Sequence, residues 1–392
     1  MSRWKKCTLS ELGIVVGGAT PSTKNLNNYK NGTIAWITPK DLAGFSERFI
    51  FKGERNITEQ GLKSCSTKLL PRHSILFSSR APIGYVAIAG QDVCTNQGFK
   101  SIIPSEEVDY MFLYYLLKNN KDRIESMGSG TTFKEISGKT MGRVEVIVPS
   151  SIEDQRKISS ILSVLDERME VNNRINKNLE EQAQHIFTHS FLHIDKIPDG
   201  WKESSLLEVA HYLNGLAMQK YRPNDEDLGI PVLKIKELRQ GFCDSNSELC
   251  SSSISSDYIV QNGDMIFSWS GSLLVDFWCG GTCGLNQHLF KVTSTSYDKW
   301  FYYSWTKYHL QKFIAIASDK ATTMGHIKRA DLEKAKVLIP SSIEYNHIGN
   351  LLTPLYNFII ANRIMNKKLY TLRDELLSQL MSGELDVSAL DI

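Results

Sequence analysis

Between Ser151 and Ser190 apolar or small residues recur in alternating steps of four and three, at Ile158, Leu162, Leu165, Met169, Leu179, Ala183 and Ile186. Asn172 and Asn176 occupy the two steps that would otherwise be empty. This spacing turns one stripe of a helix toward a partner and predicts a heptad seam. The stripe returns 190 residues later (348 − 158) as Ile348, Leu352, Leu355, Ile359, Asn362, Asn366, Leu369, Arg373 and Leu376, with both asparagines in phase, predicting a second helix over Ser342 to Leu380. The approaches match as well. VIVPSSIE (Val146–Glu153) reappears as VLIPSSIE (Val337–Glu344), an apolar strand, a proline that stops it, and serines suited to cap the helix.

The repeat extends over both halves. Trp4, Leu9 and Glu11 return as Trp201, Leu206 and Glu208, Gly18 as Gly215, and IAWITPKDL from Ile34 as IPVLKIKEL from Ile230, each a strand followed by a turn. Short apolar strands between Leu70 and Ile103 have counterparts in DMIFSWSGSLLVDFW from Asp264 and GLNQHLFKV from Gly284, which aligns Asn96 and Gln97 with Asn286 and Gln287. A short helix follows in each half, DYMFLYYLLKNN from Asp109 and DKWFYYSWTKYHL from Asp298, whose aromatic residues at helical spacing suit core packing better than base stacking. Next come GSGTTFKEI from Gly128 and KATTMGHI from Lys320, small hydroxyl-bearing stretches able to approach a phosphate backbone closely.

The expected fold is therefore α+β: two strand-rich domains, residues 1–149 and 197–339, and two helical spacers, 150–196 and 340–392. The first helix leads from one half into the other, whereas the second follows the second half. Seams that bury each other must then run antiparallel, with the halves at opposite ends of a two-helix coiled coil about a pseudo-twofold axis. Facing residue numbers should sum to about 538 (172 + 366), which sets Asn172 against Asn366 and Asn176 against Asn362. Two departures stand out in the second helix: Arg373 places a charge in the seam, and Pro354 is expected to kink or restart the helix near Asn350.

Composition adds limits. With 392 residues, 42% of them hydrophobic and 22% charged, the chain has material for two cores. No apolar run approaches a bilayer's thickness and MSRWKK does not open a signal peptide, so a cytoplasmic setting is expected. Seven irregularly spaced cysteines fit a reducing compartment, and Cys243, Cys250, Cys279 and Cys283 lack the close, regular pairing of structural zinc sites. The net charge of +2 is uneven: residues 1–149 carry 20 − 13 = +7, residues 150–196 carry 6 − 8 = −2, residues 197–339 carry 15 − 16 = −1, and residues 340–392 carry 4 − 6 = −2. Only the first half has a basic surplus; the second must concentrate its cations locally.

Catalytic signatures are missing. There is no G-x-x-x-x-G-K-[ST] loop, no strand-linked G-x-G-x-x-G, no H-E-x-x-H and no G-x-S-x-G. No Pro-Pro dipeptide is present, as the amine-holding loop of a self-sufficient amino-methyltransferase requires. Asp331, Glu333 and Lys334 read as a solvated surface rather than a nuclease centre. A non-catalytic reader is expected.

Four segments carry a family likeness: GGATPSTKN followed by IAWITPKDL, the TTFKEI loop, VIVPSSIEDQRKISSILSVLDERMEVNNRINKNLE, and LLSQLMSGEL. In this order and with their duplication the chain resembles, over its whole length, the specificity subunit of type I restriction-modification systems. The resemblance implies two target-recognition domains, each reading one half of a split double-stranded DNA site, and helices that set the spacing. It also implies partners: two modification subunits that methylate adenine with S-adenosylmethionine, and restriction subunits that use ATP and Mg. No cofactor, metal or membrane is assigned to this chain. The second half departs from the pattern, with Asn346 in place of the glutamine at Gln155 and NGLAMQKYRP in place of the glycine-threonine-proline turn.

Candidate DNA contacts are Lys24, Lys40, Arg80, Asn96, Gln97, Thr131, Thr132 and Lys134 in the first half, cations, amides and hydroxyls suited to phosphates and base edges. In the second they are Lys220, Tyr221, Arg222, Lys234, Trp269, Asn286, Gln287, Thr322, Thr323 and His326. The rivals are an orphan DNA reader, a scaffold that uses the helices only to hold two domains, and a lone methyltransferase or nuclease. Copurification with a methyltransferase separates the first reading from the scaffold.

Overall fold

The computed structural model describes residues 4–130, 134–194, 196–319 and 325–390. The chain divides into two compact units, Met1–Glu170 with Leu369–Ile392, and Val171–Lys368. Each unit thus takes part of both long helices.

In the first unit Trp4–Thr8 pairs antiparallel with Glu145–Pro149, tying the beginning of the strand-rich segment to its end. A five-stranded sheet has the order Gly13–Gly17, Lys100–Pro104, Ile75–Ser79, Ile83–Ala89, Phe49–Ile50, and a three-stranded sheet the order Arg55–Ile57, Ile34–Ile37, Val93–Thr95. The second unit repeats the plan. Lys202–Ser205 pairs with Lys336–Ile339, and two four-stranded sheets follow the orders His211–Asn214, Leu289–Thr293, Met265–Ser268, Leu274–Phe277 and Leu249–Cys250, Ile230–Leu233, Cys283–Leu285, Ile259–Val260. In both units the sheet built around the strand that follows the turn contains one parallel pair, Ile34–Ile37 with Val93–Thr95 and Ile230–Leu233 with Cys283–Leu285. Sharing even this feature establishes the duplication at the level of topology.

Each main sheet packs on a helix. Tyr110–Asn119 starts on an Asp109 cap, whose carboxylate accepts the Phe112 amide at 2.8 Å, and buries Phe112 to Leu117 in a core that also holds Ile158, Leu162, Leu377 and Leu380. The counterpart, Lys299–Asp319, is not the short helix expected but runs for 21 residues. In the first unit the Asn120 side chain takes the Leu116 carbonyl at 2.9 Å and the helix stops, whereas His309 at the matching place lets it continue and reaches the Lys336 carbonyl at 2.7 Å. Trp300, Phe301 and Trp305 from this helix pack with Phe187, Phe191, Ile348 and Leu352. Most of the aromatic residues are core, as their spacing predicts, while Tyr308 is exposed.

The long helices span Ile152–Phe187 and Ser342–Ser382, 36 and 41 residues. Pro354 does not restart the second, which continues through it. Both Pro354 and Asn350 are exposed, so the carbonyl that loses its amide partner lies on the side water can reach.

The seam register agrees with expectation. Within the second unit Asn172 Nδ2 donates to Asn366 Oδ1 at 2.7 Å, and Asn362 Nδ2 donates to Asn176 Oδ1 at 2.9 Å, so both pairs sum to 538. Asn172, Asn176 and Asn362 are buried and Asn366 is half-buried. Within the first unit the charge at Arg373 is answered: its Nη1 meets Asp166 Oδ1 at 2.9 Å, with both side chains only 6% exposed, and Tyr115 donates to the other Asp166 oxygen at 2.7 Å. The second unit makes the same helix-to-helix tie with the phenol on the opposite side, between Tyr356 and Ser304 at 3.0 Å.

Replacing Asn172 with leucine takes the donor from Asn366 Oδ1, while Asn366 Nδ2 keeps its bond to Asn173 Oδ1 at 2.8 Å, and should cost on the order of 1 kcal/mol. The double variant Asn172→Leu/Asn366→Leu should regain most of that while admitting shifted registers. Denaturant unfolding reads the first effect, and disulfide trapping of cysteines placed across the seam reads the second; equal stability in single and double variants would contradict the pairing.

Candidate nucleic-acid interface

Both units build the same turn. A Cβ on Gly18 would lie 2.2 Å from the Asn96 carbonyl oxygen, and one on Gly215 would lie 2.2 Å from that of Asn286. Close backbone approach is what requires glycine here. The next amides close the contact, Ala19 to the Thr95 carbonyl at 3.0 Å and Leu216 to that of Leu285 at 2.9 Å. Asn96 and Asn286 shape this turn with their side chains: Asn96 Oδ1 accepts the Gly98 amide at 2.8 Å and Asn286 Oδ1 the His288 amide at 3.2 Å. The side chains of the following glutamines do not shape it, although the Gln287 amide donates to the Leu216 carbonyl at 2.8 Å. Gln97 is exposed and accepts a hydrogen bond from the Thr20 hydroxyl, while half-buried Gln287 lies 3.4 Å from His288 Nε2.

Beside the turn the units diverge. In the first, Arg80 and Lys100 converge on Glu135, at 3.5 and 3.4 Å, with exposed Lys134 next in sequence. In the second, Trp269 donates its indole N–H to Asn214 Oδ1 at 2.9 Å and lies 5.7 Å from the Phe290 ring, 6.1 Å from His288 and 6.2 Å, edge-on, from His326. Ser270 Oγ meets His288 Nδ1 at 3.0 Å. A charged trio in one unit thus stands where the other has aromatic and imidazole rings.

A second group of cations forms in the second unit around Glu248, which pairs with Arg222 at 3.0 Å and also holds Lys234. The Lys234 hydrogen bond and charge, then Arg222, draw the Glu248 carboxyl below its ordinary pKa. Lys220 and Tyr221 are exposed just before Arg222. Arg222 and Lys234 are thus brought together by one carboxylate. In the first unit Lys40 is exposed but held by Glu54 at 2.7 Å, which raises its pKa, and Lys24 is exposed. Thr131, Thr132, Thr322 and Thr323 lie outside the described residues.

Lys100, Glu135, Asn214, Glu248 and His288 join these groups without having been singled out in the sequence. Carboxylates were passed over because DNA contacts were sought among cations, amides and hydroxyls, although Glu135 lies inside the TTFKEI segment itself. Among the described residues no group of three or more histidines, cysteines or carboxylates is placed to hold a metal ion.

A family model described as type I restriction modification DNA specificity domain matches residues 1–181 and 198–369. The chain is 34% identical to the type I restriction enzyme MjaIX specificity subunit of Methanocaldococcus jannaschii, across 99% of this chain and 94% of that one. It is 29% identical to the EcoR124I/EcoR124II specificity subunit of Escherichia coli over 46% of this chain and 44% of that one. The crystal structure of a type I restriction-modification system S subunit from M. genitalium covers 97% of the chain with a TM-score of 0.60 at 17% identity, a likeness of fold.

Alanine at Gly18 or Gly215 drives a methyl group into a backbone carbonyl. Each substitution should destabilise its own unit by about 3 kcal/mol and leave the other intact. Limited proteolysis of the full chain should show one unit becoming sensitive at a time; resistance of both units in both variants would mean that the turn is not needed.

Proposed function

Because the chain belongs to the family of type I restriction-modification DNA specificity subunits, we propose that its two units are the two readers of one bipartite, asymmetric site in double-stranded DNA. It is a recognition subunit and not itself a catalyst. The observation that carries the two-reader assignment is a common frame holding unlike side chains. The glycine-supported turn recurs, while Arg80, Lys100 and Glu135 in one unit are replaced by Ser270, Phe290 and His326 in the other. One frame with different chemistry suits two half-sites of different sequence.

The groups divide by role. Lys24, Lys40, Lys134, Lys220, Arg222 and Lys234, with the hydroxyls of Thr131, Thr132, Thr322 and Thr323, would position each unit on phosphates. Gln97, Tyr221, Trp269, Gln287 and His326 would meet bases, with Arg80 held beside them by Glu135. Asn96 and Asn286 would act by shaping the turn and presenting the neighbouring glutamines. The resemblance assigns S-adenosylmethionine to two modification subunits and ATP with Mg to restriction subunits, in the cytoplasm. No helix among the described residues is long and apolar enough to cross a membrane.

Residues 1–149 and 197–339 should be exchangeable modules. Replacing the first with the corresponding segment of a relative of different specificity, then sequencing methylated adenines in cells that also carry the modification subunits, should change one half-site and leave the other; a change in both would overturn the assignment.

The long helices should set the gap between the half-sites. Four residues added to each helix, beyond the asparagine layers, lengthen it by about 6 Å. At about 3.4 Å per base pair the methylated motif should keep both halves and gain one or two spacer pairs. Unchanged spacing at full activity would place the distance control in the modification subunits.

A further inference from the structure

Glu135 is an unexpected group at a surface proposed to meet a polyanion. It lies in the half of the chain with the +7 surplus (20 − 13), within reach of two cations, and is still 40% exposed on its side chain. Its backbone is fixed on both sides. The Glu135 amide donates to the Ser129 carbonyl at 2.9 Å, Ser129 returns the bond at 3.1 Å, and the next amide, Ile136, donates to the Ser79 carbonyl at the end of strand Ile75–Ser79 at 3.0 Å.

The cations are held as firmly. Lys100 pairs with Gly17 across the sheet, and its Cδ lies 3.9 Å from where a Cβ would stand on Gly17 and on Gly138, so the stem runs along two positions without side chains. Lys100 is 15% exposed and Arg80 34%. They approach different oxygens of the carboxylate, Arg80 Oε2 at 3.5 Å and Lys100 Oε1 at 3.4 Å. These separations exceed the roughly 2.7–2.9 Å of a tight charge-assisted bond. A carboxylate has about four lone-pair sites; here one on each oxygen is partly engaged. The result is an exposed acceptor with no proton to give, mounted on strand-bound backbone and steadied from two sides.

Phosphates have only acceptors to offer, so such a group gains nothing from them. Base edges in the major groove present one kind of donor, the exocyclic amine of cytosine or adenine. Resting on the reading of the chain as a DNA specificity subunit, we infer that Glu135 is a specificity-determining residue that accepts a hydrogen bond from such an amine in the half-site met by the first unit, with Arg80 and Lys100 as positioning residues. At the matching place the second unit carries no carboxylate. The amide of Ile327 there donates to the Trp269 carbonyl at 3.1 Å, as Ile136 does to Ser79, and the residue in the place of Glu135 is His326.

The test uses the full chain assembled with its modification subunits. Bound duplexes are selected from a library randomised over the site and sequenced, and affinity is followed against salt. The wild type should select a cytosine or adenine at one position of one half-site. Glu135→Ala should relax that position by about tenfold or more and leave the other half-site unchanged. Glu135→Asp keeps the charge but withdraws the acceptor by one methylene, and should weaken the same preference without changing the salt slope.

If Glu135 only offsets Arg80 and Lys100, the alanine variant will instead bind all duplexes more tightly, with a salt slope steeper by about one unit and an unchanged motif. The aspartate variant will then behave as wild type, and the inference is overturned. A wild-type complex that selects no bipartite motif would remove the functional reading itself, and this inference with it.

Discussion

Two hydrogen-bonded amide pairs between the long helices, Asn172 with Asn366 and Asn176 with Asn362, define which residues can face each other. An all-leucine seam would bury more apolar area but would tolerate a slide by one heptad at little cost, because every layer would resemble the next. Amides removed from water find their partners in one register only, and a slide leaves them unpaired at a cost of about 1–3 kcal/mol each. The Arg373–Asp166 pair adds a further mark of a different kind within the first unit. Buried charges are poor sources of net stability but strong discriminators against mispairing. Here Tyr115 carries the choice into the helix beneath the main sheet through its bond to Asp166.

The same economy of charge governs the proposed DNA-facing groups. Arg80 with Lys100, Arg222 with Lys234, and Lys40 each stand beside a carboxylate, Glu135, Glu248 and Glu54. A bare cationic surface binds any duplex through counterion release. Intramolecular carboxylates lower that indiscriminate attraction while keeping the cations in place, so more of the affinity has to come from a matching site.

Much of the fold was legible because duplication lets each half check the other. The heptad stripes, the antiparallel register and the matching strands of the two halves needed only periodicity and the 190-residue offset (348 − 158). The restart expected at Pro354 does not occur because a helix tolerates proline when the orphaned carbonyl faces water, and exposure is not written in one residue. The length of Lys299–Asp319 was missed because its limit depends on what the residue at the end bonds: Asn120 turns back on its own helix, His309 reaches across to Lys336. The interface was less legible still. Asn96 and Asn286 have the chemistry of base readers but are engaged in a turn, and Glu135 has the wrong charge for a simple search, yet lies where three segments of chain meet.

The first unit is assembled from distant parts of the sequence. Leu377, Leu380, Met381 and Val387 lie in the same core as Phe77 and Phe112, and the ring of Trp4 packs against Gly383. The second unit is one uninterrupted stretch, Val171–Lys368. During synthesis the order of emergence is therefore not the order of completion. The segment made first must wait, with part of its core open, until Leu369 and the turns beyond it have left the ribosome, by which time the whole of the second unit has been made. A chain that stops before Leu369 leaves the apolar side of Phe77, Phe112 and their neighbours without the residues that close it.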